Sequence, residues 1–186
     1  MKIRVFALLS LIAGSFAFAS CIDDDATDDV IFNEDLAEIQ AYLDTTSIVN
    51  VKEYYDEGRG ITVIWQELSG SKDTVSLGDT LKVNYVGRLL NNRAFDTSFE
   101  DIAKDEGIYN SQRDYDPLVF RVGIGQLIAG FEIGTLQMEV GDKATVFIPS
   151  YYAYGKQGTS GVVPIPANTP ILFELELLDV IPGPQQ

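Results

Sequence analysis

The residues best placed to do chemistry in this chain are hydroxyls. Tyr151, Tyr152 and Tyr154 cluster at the mouth of a glycine-rich loop, just after Pro149 ends an apolar run. The usual carriers of proton transfer and nucleophilic attack are missing or misplaced. The chain has no His, which excludes the commonest general base, a Ser-His-Asp triad and any His-ligated metal site. Its single Cys, Cys21, stands near the N-terminus, so no disulfide closes within the chain and no thiolate falls in the body of the sequence. The chemistry must come from hydroxyls, carboxylates, backbone groups and shape, with no metal and no cofactor expected.

The stretch from Gln126 to Gly155 must position those hydroxyls. Leu127, Ile128 and Phe131 have the spacing of one helix face, and predict a helix of up to about three turns before Gly134 and Met138. Val140-Gly141-Asp142 reads as a turn. Ala144, Val146 and Ile148 then alternate with Lys143, Thr145 and Phe147, as in a half-buried strand. The pattern predicts a small sheet wrapped over one short helix, with a pocket lined by rings rather than by ionised groups. By composition alone it is a binding cleft of unknown purpose.

Further strands follow from period-two alternation. Ile61 to Trp65 opens the domain. After a Gly78-Asp79 turn, Leu81, Val83 and Tyr85 alternate with Lys82, Asn84 and Val86, and Asn91-Asn92 turns the chain into Ala94-Phe95-Asp96-Thr97. Residues 98–117 carry charges without periodicity and read as a long surface insertion. Leu118, Phe120 and Val122 feed the helix, Gly155 to Pro166 is a loop with an apolar tip, and Ile171, Phe173, Leu175 and Leu177 form a long strand that Pro182 stops. Upstream, Asn33 reads as an N-cap for a helix from about Glu34 to Leu43 that shows Leu36, Ile39, Tyr42 and Leu43 on one face. Residues 33–60 are thus a helical extension, broken from the domain by Gly58-Arg59-Gly60.

At the N-terminus, Lys2 and Arg4 precede an apolar run from Val5 to Ala19, the pattern of a secretory leader over residues 1–20. Phe18-Ala19-Ser20-Cys21 resembles the cleavage box of bacterial lipoproteins, with Phe18 where Leu is usual. That resemblance implies a lipidated Cys21, membrane attachment, and a place in the bacterial cell envelope, on the periplasmic face or the cell surface. Each buried methylene of an acyl chain adds ~0.8 kcal/mol, so more than one chain anchors stably. The alternative is an ordinary leader followed by a chance Cys. Residues 21–32 read as an acidic tether, or else as the surface-export signal of lipoproteins in some Gram-negative groups. The net charge of -15 opposes nucleic acid as a partner and favours neutral or basic ones.

Several blocks together resemble the FKBP-type peptidyl-prolyl isomerases: Val83-Asn-Tyr85-Val-Gly87, Phe95-Asp96, Val122 through Phe131, Met138 to Gly141, Tyr152-Ala-Tyr-Gly155 and Phe173-Glu-Leu-Glu-Leu177. The resemblance implies an α+β fold over residues 61–183, an antiparallel, strongly curved sheet of five to six strands around one short helix. It implies catalysis of X-Pro cis-trans isomerisation, proline-containing polypeptides as partners, and the family's macrolide inhibitors as candidate ligands. The acidic tether and N-terminal helix resemble the family's lipid-anchored envelope branch. By position, Tyr85, Asp96 and Tyr154 stand where the family has catalytic residues, with Asp96 expected to bond Tyr85. Phe95, Leu118, Phe120, Leu127, Ile128, Phe131 and Phe173 stand where it lines the pocket, and Val163 and Ile165 are assigned to the flap. Phe131 replaces a frequent floor Trp, and Leu118 a frequent Phe. A binding or chaperone module with little turnover is the alternative function.

Overall fold

The computed structural model describes residues 28–184. The leader, Cys21 and the first part of the acidic tether lie outside the described residues.

The domain is built on the strands predicted by alternation. β1 (Lys52–Asp56), β2 (Ile61–Glu67), β3 (Thr80–Leu89), β4 (Ala94–Thr97), β5 (Leu118–Arg121), β6 (Lys143–Ile148) and β7 (Ile171–Ile181) form one antiparallel sheet. Its order is β1-β2-β6-β7-β3-β4, with β5 also paired to β3. The sheet therefore has seven strands rather than five or six. The missed one is β1: Gly58-Arg59-Gly60, read as a break, is the turn of a β1–β2 hairpin. Asp56 closes that turn by accepting the Arg59 N–H at 3.0 Å and the Arg59 guanidinium at 2.9 Å. Residues 33–60 are accordingly helix followed by strand, not a helical extension alone.

The inner face carries Ile61, Val63, Trp65, Leu81, Val83, Tyr85, Val146, Ile148, Phe173, Leu175 and Leu177, all buried around the short helix α3 (Ala129–Thr135). Leu127 and Ile128, read as helical, precede α3; Ile128 is its extended N-cap at φ -60°, ψ 141°. The helix lies very close to β6. A Cβ on Gly130 would fall 2.2 Å from an Ile148 methyl, and one on Gly134 would fall 2.7 Å from Val146. Two glycines spaced by four residues therefore make the groove through which β6 passes, and alanine at either forces the layers apart.

The outer face is covered too, so β6 is not half-buried. Phe147, Ile64 and Leu172 pack with Ile39 in a second buried cluster. The covering helix, α1, runs from Asp28 to Thr45, six residues earlier than the sequence pattern predicts. Asp28 and Asp29 form its first turn, where carboxylates suit the positive end of the helix. Asn33 is not the N-cap but lies within the helix, its side-chain amide donating to the Asp29 carbonyl at 2.8 Å. The last part of the acidic tether is helical for that reason.

The insertion also has structure. α2 (Glu100–Asp105) follows β4, and Tyr109 stacks on Tyr115 at 5.6 Å with the rings 15° apart. The Tyr115 hydroxyl accepts the Asn110 N–H at 2.8 Å, closing the loop back on itself.

Candidate active site

β3, β4, β5, β7 and α3 each contribute one or more rings to a single cluster. Phe131 on α3 lies at its centre, with ring centroids 5.0 Å from Phe173, 5.6 Å from Phe120 and 6.2 Å from Tyr85, all edge to face. Phe95 meets Phe173 at 5.5 Å and Tyr154 at 6.4 Å, both near perpendicular. Edge-to-face pairs contribute ~0.5–1.5 kcal/mol beyond burial, so the cluster is self-supporting. Gly87 permits it: a Cβ there would fall 2.6 Å from the Phe95 ring and 2.7 Å from Phe173.

The cluster has a buried base and a partly exposed rim. Phe120, Phe131, Phe173 and Tyr85 are buried, whereas Phe95, Leu118, Leu127, Ile128 and Tyr154 are half-buried and pack against them. From the glycine-rich loop, Ile165 turns into the main core and Val163 is buried, while Val162 is exposed. The loop tip is held by an isolated bridge between Thr159 and Ile165, with Thr159 N–H to Ile165 carbonyl at 2.8 Å. Of the residues named from sequence, Tyr85, Phe120, Phe131, Ile165 and Phe173 belong to one buried cluster, Phe95, Leu118, Leu127, Ile128 and Tyr154 pack against it, and Val163 is buried outside it.

A polar edge borders the rings. The Tyr85 hydroxyl donates to Asp96 Oδ2 at 2.7 Å, the bond expected from sequence. Arg113, from the insertion, donates through Nη2 to the Tyr85 oxygen at 2.8 Å and through Nη1 to Asp96 Oδ1. The pocket is therefore not lined by rings alone: an Arg–Asp pair stands at its margin, and Arg113 was not legible in a segment without periodicity. Burial pushes the Tyr85 phenol above its ordinary pKa, and the Asp96 charge pushes it further. Burial also raises that of Tyr154, again helped by Asp96. Burial would lower the Arg113 pKa, but its bonds to Asp96 and Tyr85 outweigh this and raise it. Both phenols stay protonated, and the Tyr154 hydroxyl makes no hydrogen bond among the described residues.

Among the described residues no group of His, Cys, Asp and Glu could hold a metal ion. A separate groove of about 590 Å³ lies on the outer face of the sheet, between the end of α1 and α2, with Tyr42, Ile48, Phe99 and Glu176 among its walls. None of the ring cluster lines it.

The model of the FKBP-type peptidyl-prolyl cis-trans isomerase family matches residues 71–178. A short-type peptidyl-prolyl cis-trans isomerase of Methanocaldococcus jannaschii is 40% identical over 92 residues, covering 50% of this chain and 58% of that one. FK506-binding protein 1 of Rhizopus delemar is 34% identical over 121 residues, covering 65% of this chain and 98% of that one. The crystal structure of FkpA from Escherichia coli superposes with a TM-score of 0.58 at 27% identity, covering 82% of this chain and 61% of that one. The fungal relatives named FK506-binding protein 4 are much longer, and the chain spans only 21% and 24% of two of them. The family match runs from the approach to β3 into β7 and takes in the whole ring cluster and its polar edge, so the chain belongs to the FKBP-type peptidyl-prolyl cis-trans isomerases.

Proposed function

We propose that this protein catalyses cis-trans isomerisation of X-Pro bonds in polypeptides of the bacterial envelope, to which Cys21 tethers it through lipid. The observation that carries the catalytic reading is the polar edge of Tyr85, Asp96 and Arg113 set against a wall of rings. Amide rotation breaks conjugation and has an uncatalysed barrier of ~18–20 kcal/mol, with no bond to carbon made or broken. The planar amide is more polar than the twisted one, so an apolar cleft disfavours the ground state relative to the transition state. Lowering the barrier by ~5 kcal/mol accelerates exchange several-thousandfold.

In this reading the prolyl ring enters between Phe95, Leu118, Phe120 and Tyr154 and rests toward Phe131. Tyr154 and the Ile128 N–H donate to substrate carbonyls and hold the chain while the prolyl amide turns. Tyr85 cannot share that task with its proton, which Asp96 already accepts at 2.7 Å. Its place is to orient Asp96 at the rim, with Arg113 bracing both. The catalytic unit spans residues 61–183, with β1 added to its sheet, and macrolides that carry a proline-like ring compete for the same cleft.

The alternative is a binding module with little turnover, which would hold a proline-containing segment without turning its prolyl bond. Calorimetric binding of an Ala-Pro peptide, beside exchange spectroscopy of its cis and trans resonances, separates the two. Isomerisation predicts both a binding heat and exchange far above the uncatalysed rate; binding without enhanced exchange establishes the module instead.

A further inference from the structure

The buried stripe of α1 consists of Ile31, Asp35 and Ile39, at successive intervals of four residues. An acid in the middle of an apolar stripe is unexpected in a helix that merely covers a sheet, since any aliphatic residue would pack there without the penalty of a buried carboxylate. Asp35 is 2% exposed, and what it meets accounts for it. Its Oδ2 accepts the Ser150 backbone N–H at 2.7 Å and the Ser150 hydroxyl at 2.6 Å.

Ser150 opens the 3-10 turn Ser150–Tyr152 that delivers Tyr154 to the cleft. Within the turn, the Tyr152 N–H returns to the Pro149 carbonyl at 3.0 Å and the Ala153 N–H to the Ser150 carbonyl at 2.9 Å. Tyr154 follows at once, its carbonyl accepting the Gly158 N–H at 3.2 Å and its ring set against Phe95. A second tie joins the same segment to the start of α1, where Lys156 Nζ lies 2.9 Å from Asp28. That pair is exposed and weak, whereas the Asp35 contact is buried and directional. The helix that supplies both ties lies outside the stretch matched by the family model.

We infer that Asp35 is a positioning residue for isomerisation: by holding Ser150 it fixes the turn that sets the Tyr154 hydroxyl over the cleft, making the N-terminal helix part of the catalytic apparatus. The inference rests on the isomerase reading, in which Tyr154 donates to the substrate. A carboxylate serves here because a single oxygen accepts from both the amide and the hydroxyl of Ser150, and so sets the start of the turn in two directions.

The test is a double-mutant cycle in the full-length chain. Asp35→Ala should lower kcat/KM by about tenfold when Tyr154 is present, and by less than about twofold in a Tyr154→Phe background, because its effect passes through that hydroxyl. Asp35→Asn, which keeps an acceptor oxygen, should recover most of the loss. Amide exchange should quicken across residues 150–154 in Asp35→Ala and stay unchanged in the β3–β7 ladder. Equal fractional losses in both backgrounds overturn the positioning role, as does unchanged exchange in the turn. If Asp35→Ala does not fold, Ser150→Ala, which removes the hydroxyl that Asp35 accepts, carries the same cycle. A loss on Tyr154→Phe with none on any Asp35 or Ser150 variant sinks the positioning role and leaves the isomerase reading standing. A native protein without isomerase activity sinks that reading, and the positioning role with it.

Discussion

The Tyr85 hydroxyl donates its proton to Asp96 across the β3–β4 pair, at 2.7 Å, and receives a hydrogen bond from Arg113 on its other side. Two strands and an insertion therefore converge on one oxygen. The consequence is a difference between the two phenols: Tyr85 is engaged inside the protein, whereas the Tyr154 hydroxyl makes no hydrogen bond among the described residues and is the one we propose as a donor to substrate.

Removing either end of that network should affect turnover more than folding. Asp96 and Arg113 side chains are 41% and 38% exposed, and pairs so placed contribute only ~0–1 kcal/mol to stability. Asp96→Ala is expected to lower kcat/KM by about tenfold or more, and Arg113→Ala by a few-fold, since each releases the orientation of the rim. Urea melts measured beside the rates check this; midpoints that fall in step with activity would show a structural role only.

The pH profile should be flat through neutrality. Burial, and then the Asp96 charge, raise Tyr85 and Tyr154 above the ordinary Tyr value of 10.0. A group whose folded pKa is raised contributes stability that is full below its unfolded value and is lost as pH rises through the folded one. Activity and stability tied to these phenols are therefore expected to hold from about pH 6 to 9 and to fail only above about 10. With no His in the chain, an inflection near pH 6.5 would contradict the account.

Acid stability depends on Asp142. The carboxylate accepts the Trp65 indole N–H at 2.9 Å, the Ser69 N–H at 2.8 Å and the Glu139 N–H at 3.0 Å. Burial alone would raise its pKa, but the N–H groups of Ser69 and Glu139, with Trp65 and the Ser69 hydroxyl, hold it below 3.8. The sign is that of a depressed carboxylate: its stability is present above 3.8 and lost as pH falls through the folded value. Asp142→Asn should cost about 1–3 kcal/mol at pH 7, with the gap to the native protein narrowing as pH falls below 3.8. Denaturant melts across that range measure it.

Much of the fold was legible because its strands bury alternate residues. Leu81, Val83 and Tyr85 face inward as the pattern predicts, as do Ile171, Phe173 and Leu175. What escaped depends on partners distant in sequence. Phe147 and Leu172 occupy outward positions and are buried in a cluster with Ile39, Tyr42 and Leu43 of α1, over a hundred residues away from either. β1 escaped because Glu53, Tyr54 and Tyr55 carry no apolar alternation; pairing with β2 alone makes them a strand. Asp28 and Asp29 looked like tether because a helix start and a solvated acidic run share a composition. Arg113 could not be found by type or spacing, since only the folded insertion brings it to Asp96.

The membrane reading has its own test. Cys21→Ser should move the protein from the membrane to the soluble fraction, and intact mass of the native protein should show acyl chains on Cys21. Retention of the variant in membranes together with an unmodified native Cys would rule out the anchor.

The central claim is that a cleft of rings with a tyrosine donor turns prolyl bonds. The most direct measurement is the rate of cis-trans exchange of a peptide with an apolar residue before proline, in native protein and in Tyr154→Phe, with and without chelator. The account predicts catalysis by the native protein, a loss of about tenfold in kcat/KM for the variant, and no effect of chelator. Native and variant proteins that leave the uncatalysed rate unchanged would contradict it.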